Sequence, residues 1–408
     1  MKLLVISQYF FPEDFRINEL VEEFTNRGHE VTILTGRPNY PEGKIFPEYI
    51  QERENYSSYL GARVIRCPIP ARGKNKVSLL INYLAFIFFG TIYGLRLSFK
   101  HKFDNIFVFE PSPITVCLPA IAIKKINKTP ITLWVLDLWP DTLEAVGILS
   151  RTSYLSKFLR KLVGWIYRNC DLILGQSRSF VAEIQSNCSA HSNIRYFPNW
   201  TEDIYINPTK IPEYFISSQE HSIKIVFAGN IGEAQDFPTI VEALKNLDKN
   251  IKAKLYVLGD GRKKDWLLRA IEENDLQNRM ELLGRFPSSA MPSFFMSADL
   301  LLVSLRSNPV FDKTVPGKLQ SYLISKKPVI GMLSGEGAAI IKESGAGFIC
   351  SPGDSDGLKD AIAKFALLSQ DERQLMGNRG YAFATTHFTK KHILNNLELW
   401  LNDLKDPR

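Results

Sequence analysis

Short apolar runs alternate with helical patterns along this chain, stop near its middle, and then begin again. The first series covers 2–9, 30–35, 103–109, 130–136, 171–176 and 194–197. The second covers 223–228, 253–258, 280–283, 299–305, 328–332 and 347–350. Helical patterns lie between them, such as 15–28, closing at Gly28, and 237–250. Strands that alternate with helices and are apolar on both faces belong in a parallel sheet covered on each side. The break falls at Pro198-Asn199-Trp200 and an irregular polar stretch to about 222, after which Ile223-Lys224-Ile225-Val226-Phe227 restarts the pattern. At 408 residues the chain exceeds one ordinary core. The expected class is therefore α/β, with two Rossmann-like doubly wound domains at 1–200 and 201–382. The remaining segment, 383–408, holds a helix at 389–404 with Leu394, Leu397, Trp400 and Leu401 at helical spacing.

The five cysteines are scattered, and none forms a CxxC pair, which indicates neither a disulfide framework nor a zinc site. Six histidines and no cluster of ligand spacing predict no catalytic metal. The net charge of +7 points to an anionic partner. Nucleic acid is not expected, because the basic residues form no recognisable reading motif. A dehydrogenase is disfavoured because no GxGxxG follows any strand.

Open parallel sheets bind ligands beyond the carboxyl ends of their strands, so the residues following each strand are the candidates. In the second series these include Gly229-Asn230-Ile231-Gly232, where glycines let backbone N–H groups approach a ligand. Gly259-Asp260-Gly261 reads as tight-turn chemistry. Gly284-Arg285-Phe286 ends another strand. Pro316-Gly317 opens a helical run that places Lys318 in a first turn, where a lysine opposes the helix dipole unless an anion sits there too. Gly335-Glu336-Gly337-Ala338 opens a further helix with backbone donors suited to phosphate or sugar.

Taken in order, these segments resemble glycosyltransferase family 4 over essentially the whole chain. The first half carries the likeness at SQYFFPEDFRINEL, RGHEVTILTGRPNYPEGK and LDLWPD. The second half carries it at FAGNIGEAQ, GRF, ADLLLVSLRSNPVFDKTVPGKLQSYLISKKPVI, GEGAAII and GAGFICSPGD. Within the family it is similar to the branch that builds O-antigen and capsule repeats, including N-acetyl-L-fucosamine transferases. The resemblance implies a GT-B fold, retention of anomeric configuration and no metal. It implies a nucleotide sugar, UDP-linked in that branch, held mainly by the second domain, with the final helix crossing back to the first. Carried onto this chain, Arg285 and Phe286 border the base. Gly229, Asn230, Gly232 and Lys318 meet the diphosphate, and Gly335, Glu336, Gly337 and Ala338 meet the donor sugar and phosphate. The family's Glu-x7-Glu pattern is altered to Lys313 and Ser321, leaving Gln320, Ser321 and Arg306 as substitutes around the ribose and phosphate.

In the first domain Asp137 ends a strand, placed to take a proton from an acceptor hydroxyl or to orient the sugar; a helix N-cap is the structural alternative. With Lys318 it forms the expected catalytic pair. Glu13, Asp14, Arg16, Glu110 and Trp139 lie in or beside post-strand loops and are the acceptor-side candidates. Residues 77–95 carry no charge and fit a buried or half-inserted interfacial helix better than a span. Residues 151–170 contain five basic residues and no acid, interleaved with Leu155, Phe158, Leu159, Leu162, Trp165 and Ile166. That pattern suits an anionic membrane surface. A polyprenyl-diphosphate-linked saccharide acceptor and a peripheral position on the cytoplasmic face of the inner membrane follow as expectations. Two rivals stay open: a UDP-sugar 2-epimerase, and a non-catalytic sugar-nucleotide-binding partner in a polysaccharide assembly complex.

Overall fold

The structure is a computed structural model, and it describes all residues except 74, 146, 189–192, 207–215, 217–221 and 406–408. The first unit runs from Met1 to Pro198 and takes in the chain again from Leu394; the second is Asn199–Ile393. The terminal segment therefore divides later than expected. Residues 383–387 complete the helix Gln370–His387, and the return lies within the helix Lys390–Lys405. There Leu394, Leu397 and Leu401 are buried, and Glu398 pairs with Arg27 and His29 at 2.7 Å each.

The first unit holds β1 (Lys2–Ser7), β2 (Glu30–Thr35), β3 (Ser58–Tyr59), β4 (Ala62–Arg66), β5 (Asn105–Glu110), β6 (Ile131–Val135), β7 (Leu172–Gly175) and β8 (Ile194–Tyr196). They form one sheet in the order β3-β4-β2-β1-β5-β6-β7-β8, parallel except for the β3–β4 hairpin. Strands β3 and β4 have no counterpart among the apolar runs. They sit at the sheet edge, where Arg63 and Arg66 replace an unbroken apolar stretch. The central strands do match the runs, because both of their faces are covered: all six residues of β5 are buried.

The second unit holds β9 (Ile223–Ala228), β10 (Ala253–Leu258), β11 (Met280–Gly284), β12 (Leu300–Ser304), β13 (Val329–Met332) and β14 (Gly347–Cys350). Their order is β11-β10-β9-β12-β13-β14, all parallel. Each sheet thus starts in its middle and reverses direction of growth once, between β1 and β5 in one and between β9 and β12 in the other. Those reversals are the switch points at which doubly wound sheets open a crevice.

The helix Lys76–Lys100 is long and apolar enough to cross a membrane by length and composition. One face, however, packs on the first sheet's covering layer. Phe86, Gly90, Gly94 and Leu97 are buried, and a Cβ on Gly90 or Gly94 would come within 3.1 Å of Pro119 or 2.9 Å of Ile123. The two glycines let it lie close against the helix Leu118–Asn127. Gly94→Leu should overfill that seam and cost about 1–3 kcal/mol, read as a lower urea midpoint; an unchanged midpoint would mean the helices do not pack this closely.

Candidate active site

In the second sheet β9 and β12 pair only through Ile225–Leu300 and Val226–Leu301. Beyond Val226 they part, and the Ala228 N–H loses its ladder partner. The Tyr322 hydroxyl fills that gap, accepting from Ala228 N at 2.9 Å. Tyr322 lies on the helix Gly317–Ile324, and Lys318 is four residues earlier on the same face. Lys318 therefore reaches the loop after β9. A Cβ on Gly229 would come within 2.6 Å of its Nζ, and the ammonium lies 3.9 Å from the centre of the Phe227 ring. Gly229 itself sits at φ +147, a region open to glycine.

Lys318 keeps some exposed surface along its stem, but its charged end is enclosed. Among the described residues no carboxylate forms an ion pair with it. Desolvation without a partner pulls its pKa from the ordinary 10.5 down to about 7. Next to it, the helix Gly335–Ser344 begins at Gly335, whose φ of +63 and distance to the Asp312 carbonyl leave no room for a Cβ. Gly337 abuts Pro316, so this helix and the Lys318 helix start side by side. Glu336 occupies the first turn, where an acid suits the dipole.

A concavity of about 1080 Å³ follows the same edge. It is lined in part by Gly229, Asn230, Gly261, Arg285, Phe286 and Met291. Its floor is rigid, because the loops after β9 and β10 interlock: a Cβ on Gly259 would overlap the Gly229 carbonyl, and one on Gly261 the Ile231 carbonyl. Gly259 and Gly261 thus allow the close approach of two loops, and both also line the concavity. Gly232 is held by its N–H to the Gln235 side chain, which also faces Asn230.

Two donor-side expectations are corrected. Gln320 is buried, since 100° per residue turns it about 200° away from Lys318, whereas Ser321, three residues on, is buried on the Lys318 side of the helix. The Gln320 amide donates to the Asn199 carbonyl at 3.0 Å. Arg306 is committed to Asp236 at 3.0 Å and Glu233 at 3.3 Å.

In the first sheet the corresponding edge gathers Asp137, Trp139, Ser112 and Thr142. Asp137 accepts hydrogen bonds from Thr142 Oγ1 and from Trp139 Nε1 at 3.0 Å, and Trp139 also donates to Ser112 at 3.2 Å. Ser112 stands at φ 142, a conformation that non-glycine residues adopt only when their surroundings impose it. Burial raises the Asp137 pKa, with hydrogen bonding from Thr142, Ser112, Trp139 and the Leu138 N–H opposing. Beside it Glu110 is fully buried; one oxygen accepts from Asp137 N at 3.4 Å and the other has no partner. Desolvation and then the nearby Asp137 charge push the Glu110 pKa well up. Glu110 thus lies buried behind Asp137, its neutral form favoured by desolvation, instead of forming an acceptor contact. Glu13 is likewise corrected. It is buried, and its carboxylate accepts from Asn39 N and Tyr40 N at 2.7 Å and from Phe10 N at 3.1 Å, stapling two loops. Asp14 is exposed, and Arg16 pairs with Glu19 at 2.5 Å. Among the described residues no group of three or more His, Cys, Asp or Glu is placed to hold a metal, and all five cysteines are buried and form no disulfide.

Sequence reasoning missed Tyr322, Phe227, Ser112, Thr142 and Asp312. Only Tyr322 left a signal, its spacing of four from Lys318.

Residues 15–200 match the family described as glycosyl transferase 4-like domain, and 214–383 match that of glycosyl transferases group 1. With the two doubly wound sheets, these matches make the chain a glycosyltransferase of the GT-B fold. It is 26% identical over 288 residues to the probable glycosyltransferase WbjE of Pseudomonas aeruginosa, covering 69% of this chain and 70% of that one. It is 24% identical to the putative colanic acid biosynthesis glycosyl transferase WcaI of Escherichia coli, over 79% of this chain and 81% of the relative. Among solved structures, sucrose-phosphate synthase from Thermosynechococcus elongatus superposes with a TM-score of 0.73 at 13% identity, covering 99% and 98% of the two chains. Anabaena HepE, solved with UDP, gives 0.69 at 13% identity, covering 99% and 100%.

Two outcomes follow from the buried charges. An anion at Lys318 favours its protonated form, so UDP binding at pH 8 should take up a proton and weaken by up to about tenfold per unit as pH rises above 7. Calorimetry in buffers of different ionisation enthalpy reads this, and Lys318→Met should abolish the uptake. Glu110 binds its proton more tightly folded than unfolded, so its contribution to stability declines as pH rises above the ordinary 4.5. Glu110→Gln should therefore gain stability relative to the parent between pH 5 and 8 in urea melts. A constant difference across that range would show that Glu110 is charged.

Proposed function

We propose that this chain is a retaining, metal-independent transferase. In this reading it moves a sugar from a UDP-sugar to a polyprenyl-diphosphate-linked saccharide in O-antigen or capsule synthesis, on the cytoplasmic face of the inner membrane. N-acetyl-L-fucosamine, or a related N-acetylated 6-deoxy sugar, is the donor sugar proposed. The observation that carries the reading is the union, on one sheet edge, of the concavity at Gly229, Asn230, Arg285 and Phe286 with the enclosed ammonium of Lys318. Base and ribose occupy the concavity, and the diphosphate lies toward Lys318 and the paired helix starts at Gly317 and Gly335.

The names of the relatives support the polysaccharide setting, and HepE, solved with UDP, supports the choice of nucleotide. The chemistry is front-face attack. The acceptor oxygen bonds to the anomeric carbon on the side from which UDP departs, and the leaving phosphate oxygen takes up the acceptor's proton. Lys318 offsets the charge growing on that phosphate, and Asp137 orients the acceptor hydroxyl. The basic helix Tyr154–Asn169, which leaves Tyr154, Leu155 and Phe158 exposed, and the apolar helix Lys76–Lys100 provide the membrane contact, which an epimerase acting on free UDP-sugars has no use for.

The test is nucleotide release from a panel of UDP-, GDP- and dTDP-sugars, with and without lipid-linked saccharide. Release from a UDP-sugar should depend on the acceptor and fall about 10²–10³-fold in Lys318→Ala. Isomerisation of a UDP-sugar without acceptor would replace this reading with the epimerase. Binding without turnover of any donor would replace it with the non-catalytic partner.

A further inference from the structure

The helix Lys76–Lys100 has two unlike faces over the same turns. Val77, Leu80, Ile81, Leu84 and Phe88 are each more than half exposed and follow one another at helical spacing along a single stripe. Monomeric proteins seldom leave such a stripe to water. The residues between them turn inward to the candidate acceptor edge. Asn82 is buried, accepting from Gln8 Nε2 and donating to the Pro70 carbonyl at 2.7 Å. Tyr83 lies near enough to Ser112 and Asp137 to be influenced by both, and its burial raises its pKa. Ser112 and Asp137 are the groups already gathered around Trp139. One helix therefore presents apolar surface outward and the acceptor edge inward, a single residue apart.

Arg72 stands just before this helix. Its backbone N–H donates to Asn39 Oδ1 at 2.9 Å, and its guanidinium lies 5.2 Å from the centre of the Tyr40 ring. It acts electrostatically on both Tyr9 and Tyr83, which places it in the same cluster. Among the described residues it forms no ion pair. A half-exposed guanidinium, positioned by an aromatic face and left without a carboxylate, suits bidentate capture of a phosphate.

We propose that this edge is the docking track of a lipid-linked acceptor. The prenyl chain lies against Val77, Leu80, Ile81, Leu84 and Phe88, the diphosphate meets Arg72, and the saccharide passes Tyr83 toward Asp137. This rests on the reading of the acceptor as polyprenyl-diphosphate-linked. Five apolar side chains make only a weak anchor on their own. The stripe brings the lipid to the protein, and Arg72 selects the lipid that carries a diphosphate.

The experiment compares kcat/KM for three acceptors bearing the same saccharide. One is a long-chain polyprenyl diphosphate in vesicles, one a short-chain prenyl diphosphate in solution, and one an alkyl glycoside with no diphosphate. Arg72→Gln should lower the ratio of diphosphate-bearing to diphosphate-free activity about tenfold or more, through KM, with Arg72→Lys recovering part of it. Replacing Leu80, Ile81 and Leu84 by Ser should lower the ratio of long-chain to short-chain activity. A UDP-induced rise in melting temperature confirms that each variant is folded. If the parent enzyme uses the lipid-linked acceptor and neither ratio moves, the track is wrong while the proposed function stands. If the parent uses only the alkyl glycoside, the lipid-linked reading and the track fall together.

Discussion

The parting of β9 and β12 beyond Val226 is the constraint on which the donor side depends. A doubly wound sheet grows outward from its first strand in two directions, and the strands flanking the reversal carry their following loops to opposite sides. The crevice that results leaves backbone groups without ladder partners, and Ala228 N–H is one of them. Tyr322 satisfies it, and in doing so sets the rotation of the helix Gly317–Ile324 about its axis. Lys318 is one turn back, so the same hydroxyl that mends the ladder determines where the ammonium points. The glycines at 229 and 259 are the other half of this arrangement, because any side chain there would collide with the lysine or with the neighbouring loop.

The first sheet repeats the topology with different chemistry. Its reversal lies between β1 and β5, and the residues beyond β5 and β6 bring Glu110 and Asp137 together with no cation between them. Water is excluded from Glu110, so its neutral form is favoured, and Asp137 retains the hydrogen-bond donors that stabilise charge. One carboxyl is thereby kept as a buried acid and the other as the group that faces outward. Ser112, held in a rarely adopted backbone conformation, joins Asp137 through Trp139, and Tyr83 on the apolar helix lies beside them. The Asp137 edge and the exposed apolar stripe thus lie close together within one unit.

Much of this was legible in the chain. Central strands are apolar on both faces, so their runs stood out, and the restart at Ile223 marked the second sheet. The strand Ala62–Arg66 did not stand out, because only the two-residue β3 lies beyond it, and so near the edge it is half covered and can carry Arg63 and Arg66. That Gly229, Asn230, Arg285 and Phe286 gather on one sheet edge was legible because each follows a strand end, and Lys318 because Pro316-Gly317 opens a helix. Gln320 was misplaced because proximity in sequence was taken over helical phase. Glu13 was misplaced because a loop acid reads alike whether it contacts a ligand or staples backbone N–H groups.

What the sequence by itself determined is the alternation of strands and helices, the two-fold recurrence of the pattern and the positions of the glycine turns. These are local matters of period, side-chain size and backbone freedom, and they survive without knowledge of any distant contact. Only the tertiary structure decided the directions in which the Lys318 and Glu110 pKa values move, the role of Tyr322 and the inward and outward faces of the Lys76–Lys100 helix. Each of those depends on which groups are brought near and which are shut off from water. Desolvation and pairing are properties of the assembled surroundings, and no single residue carries them.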